Sequence, residues 1–255
     1  MAYFRNNRWK ETIEHANSVL IQDSIPLLLR MVGESYLQTS QGDSAIYYFV
    51  KAIEKNPSDF LAVHKLGSIY LGATFYESAI DLTEEYLEAI NPNQISIGQL
   101  NGMAHYSAGN YPEATHRLKE NSALGDSSYT TCYYLGMSLY AGRLYFEAIP
   151  WLEKAYDQQN NDVNLLYYFG TALSRTYDRE RAISVLSEGV DIIEEQNAMM
   201  YDFDCSFADA YQRSQNYGKA IEYYQSAYKR NSEAHLQLYN MGYCYDAMGD
   251  KGNAI

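Results

Sequence analysis

The residues of this chain that most readily carry chemistry are its five histidines and three cysteines. They are His15, His64, His105, His116, His235, Cys132, Cys205 and Cys244. The histidines are scattered, without a cysteine or carboxylate at ligand spacing, and no two cysteines form a C-x-x-C pair. The sequence also lacks a glycine-rich phosphate loop, an HExxH motif and a GxSxG motif. It therefore predicts a protein that is not an enzyme, with no catalytic residues, no metal ligands and no cofactor.

The charge and hydropathy of the chain limit which classes of partner and which cellular compartments are expected. Lys and Arg number 19 against 32 Asp and Glu, which leaves a formal charge of -13. That charge repels phosphates and so disfavours nucleic acid and anionic lipid as partners. No apolar run approaches the roughly 20 residues of a membrane-spanning helix, and the N-terminal segment lacks the apolar core of a signal peptide. The unpaired cysteines and this N-terminus favour the cytoplasm, and the periplasm or cell envelope fits if a leader has been removed.

An internal repeat indicates the secondary-structure elements that position the functional residues. A small residue recurs in the same local setting, with steps of 34, 35, 34, 34, 38 and 34 residues, and an alanine follows each one after twelve residues. The small residues are Gly33, Gly67, Gly102, Gly136, Gly170, Ala208 and Gly242, and the alanines are Ala45, Ala79, Ala114, Ala148, Ala182, Ala220 and Ala254. This register predicts one continuous stack of similar repeats instead of separate globular domains.

Each repeat has the pattern of two helices. Apolar residues recur at spacings of three and four around the small residue and again around the alanine, with a short polar segment between them. No segment alternates apolar and polar residues for long, so no strand is predicted. The residue before the small position is usually large and is expected in the core; these residues are Val32, Leu66, Leu135, Phe169, Phe207 and Met241. The sequence therefore predicts an all-α fold of helix hairpins.

The segments HKLGSIY, YYLGMSLY and LYNMGYCY carry a leucine or methionine, a glycine and an aromatic residue in a fixed order. With the alanine column, and with Pro57 and Pro92 closing two repeats, this pattern resembles the tetratricopeptide repeat (TPR) family. The resemblance implies a right-handed superhelical solenoid of antiparallel helix hairpins, with about seven repeats and incomplete ends. The first helix of each hairpin is then expected to line a concave groove.

The repeats divide residues 1–255 as a single TPR-like solenoid. A helix over 7–23 forms a half repeat, and the repeats follow over 26–59, 60–94, 95–128, 129–162, 163–200, 201–234 and, truncated, 235–255. In the last repeat, Leu238, Met241 and Tyr245 have little to cover them. We therefore expect that the natural chain continues beyond residue 255, or that self-association through this uncapped C-terminal end covers them.

Two repeats depart from the pattern. The third carries Gly98, Asn101, His105 and Asn121 where its neighbours have larger or more apolar residues. We expect a loosely packed joint there, and a second helix that ends early, near residues 122–128. The step of 38 residues adds about one helical turn, so a longer second helix is predicted in the fifth repeat.

The first-helix residues that are rotated away from the core form the candidate binding surface. Most are aromatic, and tyrosine offers a large contact area with few rotatable bonds and a hydroxyl for orientation. They are Met103, Tyr106, Tyr133, Tyr134, Met137, Tyr140, Tyr167, Tyr168, Thr171, Arg175, Asp209, Arg213, Tyr239 and Tyr243. The leading hypothesis is a non-enzymatic interaction module or scaffold that grips a peptide or helical segment of a protein partner in a tyrosine-rich groove.

Three alternatives stay open. Several of these tyrosines could bridge adjacent repeats without touching a ligand. The chain could instead be a structural assembly element of an oligomeric or cell-envelope complex, joined through its ends or its convex face. A tyrosine-lined groove could also stack sugars, which would make the protein a small-ligand or glycan receptor.

Overall fold

The structure is a computed structural model that describes residues 2–20, 25–176 and 178–254. Within these ranges it consists of fourteen helices and contains no strand, which confirms the all-α prediction. The half-repeat helix expected over 7–23 is represented by α2 (Trp9–Leu20), and residues 21–23 of that prediction lie outside the described residues. A short helix, α1 (Ala2–Arg5), precedes α2 and contacts it.

Eleven of the described helices alternate as the first and second helices of hairpins. The first helices are α3 (Pro26–Gln38), α5 (Phe60–Gly72), α7 (Ile95–Ser107), α9 (Tyr129–Ala141), α11 (Val163–Ser174) and α14 (His235–Ala247). The second helices are α4 (Gly42–Lys55), α6 (Tyr76–Ala89), α8 (Tyr111–Ala123), α10 (Tyr145–Gln158) and α13 (Tyr217–Arg230). Helix α12 (Arg179–Arg213) is at once the second helix of the fifth repeat and the first helix of the sixth.

Contacts divide the chain into two compact units, residues 1–160 with 171–179, and residues 161–170 with 180–255. Inside the first compact unit, each helix from α1 to α10 packs against the next one in the sequence. In the second compact unit, α13 packs against α14 in the same way. Consecutive packed hairpins are therefore confirmed, and the single solenoid over the whole chain stays a prediction.

The recurring small residues let the two helices of a hairpin approach closely. A Cβ at Gly102 would lie 2.5 Å from Leu118 Cγ of α8, and a Cβ at Gly136 would lie 2.7 Å from Leu152 Cγ of α10. Atoms do not tolerate such distances, so these positions exclude a side chain. The alanines of the second column from Ala45 to Ala220 are buried on the opposite helix. The two columns therefore mark where the helix backbones meet.

The third repeat, where the sequence predicts a loosely packed joint, is packed through polar side chains. Asn101 is buried, donates from Nδ2 to Thr83 Oγ1 at 2.9 Å, and accepts at Oδ1 from Arg117 Nε at 3.1 Å. His105 is also buried, with Nε2 3.0 Å from Glu84 Oε1. Buried polar groups are stable only when they have such partners, and here the partners join the second repeat to the third.

Asn121 explains the unusual glycine of the same repeat. Its side chain is buried and donates from Nδ2 to the carbonyl oxygen of Ile95 at 2.8 Å. A Cβ at Gly98 would collide with Asn121 Oδ1, so glycine makes room for the amide. The second helix of this repeat ends at Ala123, one residue earlier in the register than its counterparts, as expected.

The second helix of the fifth repeat is longer than its counterparts, as predicted, but it does not end where a turn is expected. Helix α12 continues through residues 200 and 201 into the first helix of the sixth repeat. Other repeats close on segments such as Asn-Pro-Ser-Asp at 56–59 and Asn-Pro-Asn-Gln at 91–94, which stop a helix. The segment 191–201 contains neither glycine nor proline and is rich in good helix formers.

The continuous helix also corrects one core prediction. Phe207 occupies the column of large residues expected in the core, yet its side chain is exposed and stacks on Tyr223 of α13 with ring centroids 5.1 Å apart. Because α12 has no turn, this face of the sixth repeat is not folded against the preceding second helix.

The close approach at Gly136 can be tested with a matched pair of glycine substitutions. We expect Gly136→Val to lower the free energy of unfolding by about 1–3 kcal/mol, because the new side chain overlaps Leu152. A Cβ at Gly72 meets nothing within 4 Å, so Gly72→Val should cost much less. Urea denaturation followed by circular dichroism measures both values, and equal losses would contradict close approach at Gly136.

The buried polar contacts of the third repeat predict a second stability effect. Asn101→Ala should destabilise the protein by about 1–3 kcal/mol, because Thr83 and Arg117 each lose a buried partner. Asn164→Ala, at an exposed position of α11, is the control and should change stability little. Thermal denaturation of the two variants would refute the structural role of Asn101 if their midpoints were the same.

Candidate functional site

The candidate surface centres on α7 and α9, the first helices of the third and fourth repeats. In the first compact unit, α5 packs directly against α7 and α7 against α9. Among the residues that the structure describes, the second helices make no comparably extensive contacts with one another. Residues three before, one after and four after the small residue share one face of a first helix, because they recur at spacings of four and three. This face carries most of the predicted residues. Beside it, two before or five after the small residue, lie Tyr134, Tyr168, Arg175 and Arg213.

Five tyrosine rings join α7, α8 and α9 in what we call the tyrosine cluster. Tyr106 of α7 meets Tyr134 of α9 edge to face, with centroids 5.3 Å apart, and lies 5.7 Å from Tyr111. Tyr134 lies 5.2 Å from Tyr133, and Tyr133 stacks on Tyr129 at 5.5 Å. All five side chains are half-buried. Tyr106 and Tyr134 therefore do bridge adjacent repeats, while part of each ring stays accessible.

A second aromatic contact lies at the C-terminal end of α9. The ring of Tyr140 lies 5.2 Å from that of Tyr145, where α10 begins, and the guanidinium of Arg175 lies 5.8 Å from the Tyr145 centroid. A cation over an aromatic face is attracted by the ring quadrupole, so Arg175 and Tyr145 orient each other. Tyr140 is half-buried and Arg175 exposed, and two further predicted residues, Met103 and Thr171, are half-buried.

Met137 is a correction to the predicted surface. Its side chain is only 3% exposed, so it is not available to a ligand. Methionine is flexible and apolar, so its side chain is readily buried among neighbouring residues. The periodicity of α9 places Met137 on the same face as Tyr133 and Tyr140, and only packing separates them.

The other predicted residues lie in the second compact unit. Tyr167 and Tyr168 of α11 meet edge to face at 5.1 Å, and Tyr167 is the more exposed of the two. Tyr239 and Tyr243 of α14 are exposed and line a cleft of about 910 Å³. The Tyr167–Tyr168 pair lies on α11 and the Tyr239–Tyr243 pair on α14, so each pair belongs to a single helix, unlike the tyrosine cluster.

Asp209, Arg213 and Tyr243 come together in a polar cleft of about 400 Å³. Beneath it, the hydroxyl oxygen of buried Tyr224 lies 2.6 Å from Asp209 Oδ1 and 2.5 Å from Gln212 Oε1. Burial and the bond to Asp209 raise the pKa of Tyr224, so its hydroxyl stays protonated and can donate. The repeat pattern indicates that Tyr224 is core, but nothing in that pattern shows that it holds Asp209 in place.

The three cysteines are unpaired, and their surroundings disfavour nucleophilic chemistry. Cys132 and Cys244 are buried and Cys205 is half-buried. Burial raises the pKa of each thiol, so little reactive thiolate is present at neutral pH. Over residues 2–20, 25–176 and 178–254, no three His, Cys, Asp or Glu side chains are arranged to hold a metal ion. No described helix is both long and apolar enough to cross a membrane.

Comparison with known proteins identifies the repeat. A tetratricopeptide repeat family model matches residues 100–163 and 205–255, which include the tyrosine cluster and the polar cleft. These two segments belong to the TPR family, and the chain has the TPR fold. No curated protein sequence matches it significantly.

Several solved structures share the TPR fold of this protein. A MamA chain from Desulfovibrio magneticus RS-1 that begins at its residue 41 superposes with a TM-score of 0.60 at 17% identity, over 67% of this chain and 96% of that one. The C-terminal part of a TPR protein from Cytophaga hutchinsonii has a TM-score of 0.60 at 15% identity, over 94% and 96% of the two chains. YrrB, described as a TPR protein with an unusual peptide-binding site, has a TM-score of 0.59 at 19% identity, over 69% and 90%.

The tyrosine cluster of this protein should be energetically coupled across repeats. Tyr106→Leu and Tyr134→Leu keep apolar bulk but remove the ring contact, so a double-mutant cycle should give a coupling of about 0.5–1.5 kcal/mol. Tyr47 lies on α4 of the first repeat, and the cycle of Tyr106→Leu with Tyr47→Leu is the control. Urea denaturation should find that control pair additive, and additivity of both pairs would rule out the predicted coupling.

Proposed function

We propose that this protein is an interaction module that binds a segment of a partner protein on the tyrosine cluster and the adjoining Tyr140. The observation that carries the proposal is the unbroken series of ring contacts from Tyr111 through Tyr106 and Tyr134 to Tyr129. The series spans two successive first helices, so it forms one surface and not a set of isolated rings.

Half-buried tyrosines suit this task for physical reasons. Each ring is already held by a neighbouring ring, so little side-chain freedom remains to be lost when a partner binds. The accessible part of the ring contributes apolar contact area, and the hydroxyl can donate or accept a hydrogen bond that orients the partner. Binding surfaces rich in tyrosine use the same combination.

The dimensions of the surface favour a peptide segment over a small molecule. Neighbouring packed helices lie about 8–10 Å apart, so α7 and α9 together present a strip roughly 20 Å wide. An extended chain covers that distance with about six residues at ~3.3 Å each. A metabolite needs a cavity that surrounds most of its surface, whereas an open strip of rings contacts a chain along its length.

The comparisons support the class of partner and not its identity. TPRs are a protein-interaction fold, and YrrB is described as having a peptide-binding site. Those likenesses concern the fold, because the identities are below 20%. The location on α7 and α9 rests on the ring contacts of this chain.

The proposal is tested by selecting peptides from a displayed random-peptide library on the wild-type protein and measuring their affinity by fluorescence anisotropy. Tyr133→Ala and Tyr140→Ala together should weaken the best peptide by about 2 kcal/mol if either side chain is a binding hot spot, which is roughly thirtyfold. Helical content measured by circular dichroism should stay unchanged, because neither residue is in the core.

Tyr47→Ala is the matched control, since it removes an exposed tyrosine from a second helix. It should leave peptide affinity unchanged. Peptides that bind equally well to the Tyr133→Ala, Tyr140→Ala variant would move the site elsewhere, and failure to select any peptide would count against peptide binding itself.

A further inference from the structure

The N-terminal half of α12 exposes apolar residues at positions that equivalent helices bury or half-bury. Ile183 follows its repeat alanine by one residue, as do Ile80 and Ile221, which are 5% and 7% exposed. Ile183 is 67% exposed. Val190 lies eight residues after the alanine, as does Leu87, yet Val190 is 51% exposed and Leu87 only 2%. The positions of Ile183 and Val190, which are covered in other repeats, are therefore exposed to solvent in the fifth repeat.

The second repeat shows what covers these positions elsewhere. Ile80 packs with Ala104 of α7, and Leu87 packs with Ile97 of the same helix. The cover is therefore the first helix of the following repeat, which offers one small and one large apolar residue seven positions apart.

The sixth repeat does not supply that cover in this structure. Its residues at the two covering positions are Phe203 and Ala210, and both are exposed. They belong to the same continuous helix as Ile183, and at 1.5 Å per residue Ala210 lies roughly 40 Å further along its axis. The helix would have to break between Val190 and Phe203 before they could fold back, and residues 191–201 contain no glycine or proline.

The uncovered positions form a shallow cleft of about 340 Å³ with a mixed lining. Ile183, Leu186 and Val190 supply its apolar part, and Asp191 and Glu194 supply carboxylates along one edge. Residues 182–212 contain seven acidic residues and no Lys, Arg or His. The α12 helix of a second copy would bring the same acidic segment to this acidic cleft, so like charges disfavour that pairing.

We propose that this cleft on α12 docks an amphipathic helix of a partner protein that carries apolar residues on one face and basic residues beside it. The partner's apolar face takes the place that α7 occupies against α6 and covers Ile183 and Val190. Its basic side chains pair with Asp191 and Glu194, and this charge complementarity makes the contact specific. The proposal does not depend on the tyrosine cluster, which lies in the other compact unit.

The test uses the full chain and two designed helical peptides, one with leucine and alanine on one face and lysine on the other, and one with glutamate replacing lysine. Fluorescence anisotropy should show binding of the lysine peptide and not of the glutamate peptide. Val190→Asp should weaken the lysine peptide by at least about tenfold, because it places a charge in the apolar part of the cleft.

Ser184→Asp is the matched control, since Ser184 is exposed on α12 but does not line the cleft. It adds the same charge as Val190→Asp and should not weaken binding. Charge attraction alone would leave both aspartate variants binding as tightly as wild type, and that result would overturn the proposal. Absence of binding by the lysine peptide would overturn it as well.

Two further measurements separate the other occupants. Sedimentation analysis should find that wild type and Val190→Asp have the same mass, and a wild-type dimer that Val190→Asp dissociates would assign the cleft to a second copy instead. In an Ile183→Cys variant, the new thiol should react rapidly with a maleimide and slowly once the lysine peptide is bound. Slow labelling without peptide would mean that the chain covers the cleft itself, which would also overturn the proposal.

Discussion

The close approach of two helix backbones in each hairpin is the constraint on which the rest of this structure depends. It holds where Gly102 lies under Leu118 and Gly136 under Leu152, at distances that leave no room for a Cβ. Once the small residue is turned toward its partner helix, the 3.6-residue period decides which positions remain for other contacts. The rings of Tyr106 and Tyr134 occupy such positions, so the candidate binding surface is a consequence of how the hairpins pack.

The third repeat shows that this constraint can be met with polar chemistry. Asn101 replaces a large apolar residue, and its amide finds partners in Thr83 of the preceding repeat and Arg117 of its own. Judged by hydrophobicity alone, this repeat is expected to pack loosely, because the hydrophobic pattern does not show where hydrogen-bond partners lie. Buried amides are costly alone and stable when paired, so a polar residue in a core column is informative about its neighbours.

Helix α12 shows the opposite case. It keeps the apolar residues of the repeat pattern, but no following helix packs over them. Ile183 and Val190 stand in the columns that bury Ile80 and Leu87, and they are exposed because no turn returns the next helix to cover them. Their exposure differs from that of an isolated surface leucine, because the other repeats show which helix normally covers these positions and which residues it contributes. The absence of a helix-stopping residue in 191–201 is the local cause.

The sequence by itself determined the all-α fold, the hairpin register and the resemblance to the TPR family, because small-residue spacing and amphipathic periodicity are local properties of the chain. It also predicted a binding face on the first helices, where Tyr106, Tyr133 and Tyr140 are half-buried in the structure. Only the tertiary structure decided that Met137 is buried and that Asn101 and Asn121 of the third repeat find hydrogen-bond partners. These outcomes depend on the distance and direction between side chains far apart in the sequence, and a period along one chain carries no information about either.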